Sequence, residues 1–178
     1  MKRFAAALTA LCLLALLTPG LAPGAAAAAR YYITVDITNK ICTVYENNNR
    51  TQSGIVRQMI CTTGAPGTPT PNGTYVLPST KTYATERTEW YYFPRYGCYA
   101  KWATRIINGY MFHSVLYTKD KVGPTRSSLN ALGGTGSHGC VRLKVADAKW
   151  IALNCPGGTR VKLYHSGKTN ASLRKKLL

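Results

Sequence analysis

The chain has 178 residues, with 23 Lys and Arg against 6 Asp and Glu, a formal charge of +17. Less the first thirty residues, that length suits one domain with a sizeable core and leaves little room for a second. A field of this sign favours polyanions, yet no nucleic-acid recognition motif is present.

Residues 1–29 read as a secretory signal peptide. Lys2 and Arg3 give the positive start, Phe4 to Leu17 the apolar run, and Ala25 to Ala29 a small-residue exit. The run is shorter than the ~20 residues that cross a bilayer, so no transmembrane anchor is expected. Without Lys2 and Arg3 the charge falls from +17 to +15. Outside the cell, anionic wall polymers such as teichoic acids are better partners for this charge than nucleic acid. Removal of Cys12 leaves Cys42, Cys61, Cys98, Cys140 and Cys155. An odd number in an oxidising compartment leaves at least one thiol without an internal partner.

Tyr31 to Ile37 alternates as a strand, with Ile33, Val35 and Ile37 on one face. Ile41–Glu46 and Ile55–Thr63 are further strands, separated by the polar loop Asn47–Gly54. A hairpin centred between Thr51 and Gln52 sets Cys42 opposite Cys61, a possible disulfide. Pro66, Gly67, Pro69, Pro71 and Gly73 make a stiff, shaped loop that leads into a strand at Thr74–Leu77. The aromatic-rich stretch from Tyr83 to Phe112 has no helical period and reads as strands and an excursion. Gly109–Val115 is a buried strand and Tyr117–Gly136 a long loop. Val145–Leu153 is the one helix expected, with Val145, Ala148, Ile151 and Ala152 on one face. Cys155-Pro156-Gly157-Gly158 stops it, Thr159–Tyr164 is the closing strand, and the basic tail 166–178 is expected to be loose. The pattern predicts a mainly all-β domain over residues 30–165, a sandwich or a barrel.

The densest chemistry lies in Gly133-Gly134-Thr135-Gly136-Ser137-His138-Gly139-Cys140-Val141-Arg142. A thiol beside imidazole and guanidinium is expected to have its pKa drawn down. Gly139 lets backbone N–H groups come close enough to hold an oxyanion. Half of a disulfide in a turn is the competing reading for Cys140. A thiol nucleophile needs a base. His113, at the end of a strand and followed by Ser114, is better placed than His138 in the same turn or His165 beside the tail. A structural core histidine is the competing reading for His113. Zinc on His113, His138 and Cys140 lacks a fourth ligand, so neither metal nor cofactor is expected.

Phe112-His113-Ser114 followed by Ser137-His138-Gly139-Cys140-Val141-Arg142 resembles the signature of the L,D-transpeptidase catalytic (YkuD) family. Thr63-Gly64, the run Gly67 to Tyr75, and Asp147 to Thr159 extend the likeness over Tyr31 to His165. The resemblance implies a YkuD-like β-sandwich or bent barrel with one short α-helix after the cysteine loop. It implies a secreted cell-wall enzyme, a monomer, acting on peptidoglycan tetrapeptide stems as donor and acceptor. Cys140 would attack the carbonyl of the third stem residue and release the terminal D-alanine, and an acceptor amine would resolve the acyl-enzyme. His113 would be the general base, oriented by Ser114. His138 and Gly139 would shape the oxyanion site, with Ser137 and Arg142 lining the pocket. Arg142 suits a peptide carboxylate, which a guanidinium holds at two points. Family members are also acylated by carbapenems.

Three rival readings stand beside this one: a papain-like endopeptidase, a non-catalytic basic wall-binding protein and a secreted nucleic-acid binder; within the enzyme reading, an L,D-carboxypeptidase would pass the same acyl group to water. The papain order is disfavoured because His113 precedes Cys140. The loop Lys119–Gly136 is long for the family, and Lys144 stands where a capping serine or aspartate is expected. Tyr83–Trp102 is either a lid or core packing. Pairing of Cys98 with Cys155, beside Cys42 with Cys61, would leave Cys140 as the free thiol.

Overall fold

A computed structural model describes residues 30–78 and 88–178. The signal peptide assigned to residues 1–29 and the beginning of the aromatic stretch at Tyr83 lie outside the described residues. Alternation decides which side of each strand meets the core. In β12 (Arg160–Tyr164), Val161 and Leu163 are buried while Arg160 and Lys162 face water. β1 (Tyr31–Asp36) lies between β12 and β2 (Ile41–Glu46) and is buried on both faces over most of its length. β3 (Ile55–Gly64) continues the sheet. It is joined by β4 (Gly73–Val76), β7 (Thr104–Ile107), β8 (Tyr110–Ser114) and β11 (Val141–Leu143) in the order β4-β12-β1-β2-β3-β11-β8-β7. The short β10 (Thr135–Ser137) adds to β3. The end strands β4 and β7 approach each other, so the sheet bends into a nearly closed barrel. Strand hydrogen bonds are thereby satisfied with little open edge.

The core holds Ile33, Val35, Val44, Phe112, Val141, Leu143, Val161 and Leu163, plugged by Ala148 and Ile151 of α2 (Val145–Asn154). Each fully buried aliphatic or Phe side chain contributes about 1.5–3 kcal/mol. Lys144 occupies the N-cap of α2 and makes no side-chain cap. Asp147 in the first turn opposes the helix dipole and accepts from Arg57 Nη2 at 2.7 Å. The aromatic excursion forms a second sheet, in the order β5 (Trp90–Phe93), β6 (Cys98–Lys101), β9 (Leu116–Tyr117). Trp90 sets its edge against Tyr117 at 5.1 Å, and Lys101 Nζ lies 4.3 Å from the Trp90 ring centroid.

The mainly β class holds, and two short helices join the expected one. α1 (Arg126–Asn130) falls within the expected long loop, with Thr125 Oγ1 accepting from Ser128 N. α3 (Ala171–Leu177) replaces the loose tail. Asn39 Nδ2 donates to Lys168 O at 2.8 Å, Asn170 Oδ1 caps Leu173 N at 3.1 Å, and Lys144 Nζ donates to the carbonyls of Leu177 and Leu178. The long-range bonds from Asn39 and Lys144 supply the order that a basic segment lacks by itself.

Neither possible cross-link is made among the described residues. The hairpin is not centred at Thr51–Gln52: a 3₁₀ turn at Gln52–Gly54 and a bulge at Val44/Tyr45 shift the register by two. Cys42 therefore faces Met59, and Cys61 N–H donates to Lys40 O at 2.8 Å. A shift of two keeps Cys42 and Cys61 on one core face as diagonal neighbours, both present as thiols. Cys98 is a thiol on the second sheet, while Cys155 is buried in the main core.

Candidate active site

Parallel pairing of β8 with β11 aligns Val141 with Phe112 and Arg142 with His113. Continued one residue back, the alignment sets Cys140 beside Met111, whose backbone hydrogen-bonds the sulfur. Residues two apart on a strand share a face. His113, Cys140 and Arg142 thus share one side of the sheet, and all three line one cavity of about 240 Å³. Sequence separation of 27 residues is bridged by a single strand pairing.

The turn that carries Cys140 is braced from within and from outside. Ser137 Oγ donates to Cys140 O at 2.6 Å and accepts from Gly139 N at 3.1 Å. The stiff loop after β3 holds the other side. Thr70 Oγ1 donates to Gly139 O at 2.9 Å, Thr68 Oγ1 donates to Ser137 O at 3.0 Å, and Ala65 N–H donates to the same oxygen at 2.9 Å. Gly139 takes φ +102°, and an added Cβ would lie 2.2 Å from Tyr110 Cε1. No other residue fits without displacing that ring or the backbone. Ser137 is buried and positions the turn rather than lining the cavity.

His113 is buried, and its Nδ1 lies 2.6 Å from Ser114 O. A carbonyl only accepts, so Nδ1 carries the hydrogen and Nε2 keeps its lone pair. The expected orienting role of Ser114 thus falls to its backbone. Its hydroxyl instead donates to Val115 O and accepts from Lys101 N, tying the second sheet to β8. Phe93 covers the imidazole with ring centroids 5.0 Å apart. Burial, aided by Arg142, lowers the His113 pKa to about 3 and leaves it neutral.

Cys140 differs from expectation. Burial raises its pKa, and the opposing pulls of the Met111 backbone, Arg142 and Arg105 do not overcome it. Its Sγ lies 3.6 Å from Gly109 O, a thiol-to-carbonyl contact. At rest the pair is neutral thiol and neutral imidazole. Arg142 Nη1 donates to Gly136 O at 3.0 Å, and its Nε is buried with no acceptor among the described residues. His138 stacks on Tyr96 at 4.5 Å at the cavity wall. His165 is not among the cavity residues. Among the described residues no three His, Cys, Asp or Glu side chains converge as a metal site needs.

Phe93, Tyr96 and Cys98 share the wall with Leu116, Thr125 and Ser127, so the described part of the aromatic stretch borders the site. Sequence reasoning missed Cys98 as a pocket residue and Thr70 as a brace. Only Thr70 left a signal, within the Gly67–Tyr75 motif.

A strand-borne histidine and a cysteine turn in one cavity of a bent barrel define a cysteine–histidine β-domain. The chain belongs to the L,D-transpeptidase catalytic domain family, YkuD, whose model matches residues 30–163. It is 40% identical over 95 residues to YciB of Bacillus subtilis (strain 168), a protein provisionally named an L,D-transpeptidase. That match covers 52% of this chain and 45% of YciB, so the chain aligns with under half the length of that relative. Among solved structures, LdtMt1 in complex with imipenem superposes with a TM-score of 0.57 at 23% identity, covering 76% of this chain and 59% of that one. An L,D-transpeptidase from Mycobacterium tuberculosis H37Rv gives 0.56 at 23% identity, covering 77% and 58%. These structural matches establish the shared fold. No helix among the described residues is long and apolar enough to cross a membrane.

Proposed function

We propose that the chain is an exported L,D-transpeptidase that links third-position residues of peptidoglycan stems through an acyl-enzyme on Cys140. One observation carries this reading: a neutral His113, its Nδ1 held by the Ser114 carbonyl, presents a free Nε2 on the cavity face shared by Cys140.

The donor carbonyl enters the cavity, and His113 Nε2 takes the thiol proton as sulfur attacks. No charge separation exists beforehand, so the ion pair forms only as the carbonyl accepts electrons. Gly139 N–H is engaged by Ser137 Oγ, so the oxyanion role in the turn passes to the amide of Cys140. His113 returns the proton to the departing D-alanine amine. It next takes one from the acceptor amine, which displaces Cys140 and forms the new amide. The unmatched Arg142 Nε supports a guanidinium that meets a stem carboxylate in the cavity.

The test incubates the protein with disaccharide-tetrapeptide and follows products by mass spectrometry. Cross-linked dimer supports transpeptidation. Tripeptide alone assigns the acyl group to water and makes the protein an L,D-carboxypeptidase. Unchanged substrate with every stem type, and no carbapenem adduct on Cys140, would refute the enzyme reading. Cys140→Ala should abolish product and adduct together. The charge of +15 left after Lys2 and Arg3 are removed supports retention on anionic wall polymers.

A further inference from the structure

Cys98 has no role in that chemistry, yet it shares a cavity with Cys140. Of the five described cysteines, Cys42, Cys61 and Cys155 belong to the main core, while Cys98 and Cys140 line the same pocket of about 240 Å³. A second observation ties the two together. The Arg142 guanidinium interacts electrostatically with both sulfurs, drawing each thiol down against the effect of burial. Cys98 opens β6 directly after Gly97, whose φ of 60° ends the 3₁₀ turn Pro94–Tyr96. It therefore sits at the tip of the β5–β6 hairpin. The far end of β6 is tied down, with Lys101 N–H donating to Ser114 Oγ at 2.8 Å. Cys98 is partly exposed and belongs to the satellite sheet rather than to the barrel.

We propose that Cys98 and Cys140 form a reversible redox pair, in which Cys98 resolves oxidised Cys140 and switches the nucleophile off. With a peroxide as oxidant, the Cys140 thiol becomes a sulfenic acid and the peroxide is reduced to water or alcohol. The Cys98 sulfur then attacks the Cys140 sulfur. A sulfur–sulfur bond forms, the S–O bond breaks, and the hydroxyl leaves with the Cys98 proton as water. An external dithiol supplies two electrons and two protons to restore both thiols. The bond requires the two Cα atoms to come within about 7 Å of each other. In an oxidising compartment this halts oxidation of Cys140 at a recoverable stage. The consequence for activity rests on Cys140 being the nucleophile, whereas the bond itself is measured independently.

The test treats the full chain with hydrogen peroxide, alkylates residual thiols and maps peptides by mass spectrometry. The expected product is a peptide pair joining Cys98 to Cys140 that dithiothreitol separates, with carbapenem acylation lost and regained in step. In Cys98→Ser and Cys98→Ala, Cys140 should instead pass to sulfinic and sulfonic acids, roughly tenfold faster than in the parent protein. Reductant should then restore little of each variant's own starting acylation. Equal over-oxidation in parent and variants, or a bridge from Cys140 to a core cysteine or a second chain, would overturn the proposal. Should both variants misfold, the linkage map of the parent protein decides. A reversible Cys98–Cys140 bridge in a protein that no carbapenem acylates and that leaves every stem type unchanged would uphold the pair and refute the proposed function.

Discussion

Gly139→Ala tests whether the cysteine turn is as tightly built as its contacts imply. At φ +102° an L-residue is strained by about 1–3 kcal/mol. The new methyl would sit 2.2 and 2.7 Å from Tyr110 Cε1 and Cδ1, and 3.2 Å from Pro69 O. The ring can rotate away only by leaving its place, and Pro69 is held in the loop whose Thr68 and Thr70 brace the turn. Overpacking of this kind costs about 1–3 kcal/mol more, for a total of about 2–6. Thermal unfolding should fall by roughly 5–20 °C, at about 2–4 °C per kcal/mol for a chain of this size. Displacement of Cys140 by about 1 Å should also slow its acylation roughly a hundredfold, read by mass spectrometry with a carbapenem. Gly67→Ala is the matched control, because nothing lies within 4 Å of its added Cβ. A Gly139→Ala protein that melts within about 2 °C of the parent and acylates normally would refute the reasoning.

His113 makes a pH prediction. Its folded pKa of about 3 lies below the ordinary imidazole value, so the unfolded chain binds the proton first as pH falls. Its contribution is fully present above about 6.5 and is lost progressively toward 3, on the order of 5 kcal/mol in all. Urea unfolding of His113→Asn should show a flatter pH dependence between 6.5 and 4.5 than the parent, and an unchanged slope would contradict the burial argument. Ser137→Ala leaves the Cys140 carbonyl and the Gly139 N–H without their partner and should cost about 2–4 kcal/mol, measured by denaturant midpoint. Cys140 should be alkylated by iodoacetamide more slowly at pH 7 than a free cysteine, with a rate that climbs only above the ordinary thiol range. Arg142→Gln should raise that range further, and fast alkylation at pH 7 in the parent would show that burial does not dominate.

The residues by themselves determined most of the barrel strands, since alternation at Thr159 to Tyr164 permits only one buried face, but they do not predict β9, β10 or β11. They determined the helix at Val145 and pointed to the Cys140 turn, because glycines, histidine, cysteine and arginine crowded into ten positions have few purely structural uses. Ser114 and Ser137 were legible as important but not in their manner of acting, one through its carbonyl and the other as a strut beneath the turn. Three matters were decided only in three dimensions. Hairpin register depends on a 3₁₀ turn and a bulge, which composition does not announce, and it moved Cys42 from Cys61 to Met59. The tail became a helix because Asn39 and Lys144 supply partners more than 30 residues away. The thiol state of Cys140 turned on burial outweighing the positive charge beside it, a balance of desolvation against Coulomb attraction that adjacency in sequence does not reveal. The same folding placed Cys98 on the wall of the cavity, where a count of cysteines leaves its pairing with Cys155 open.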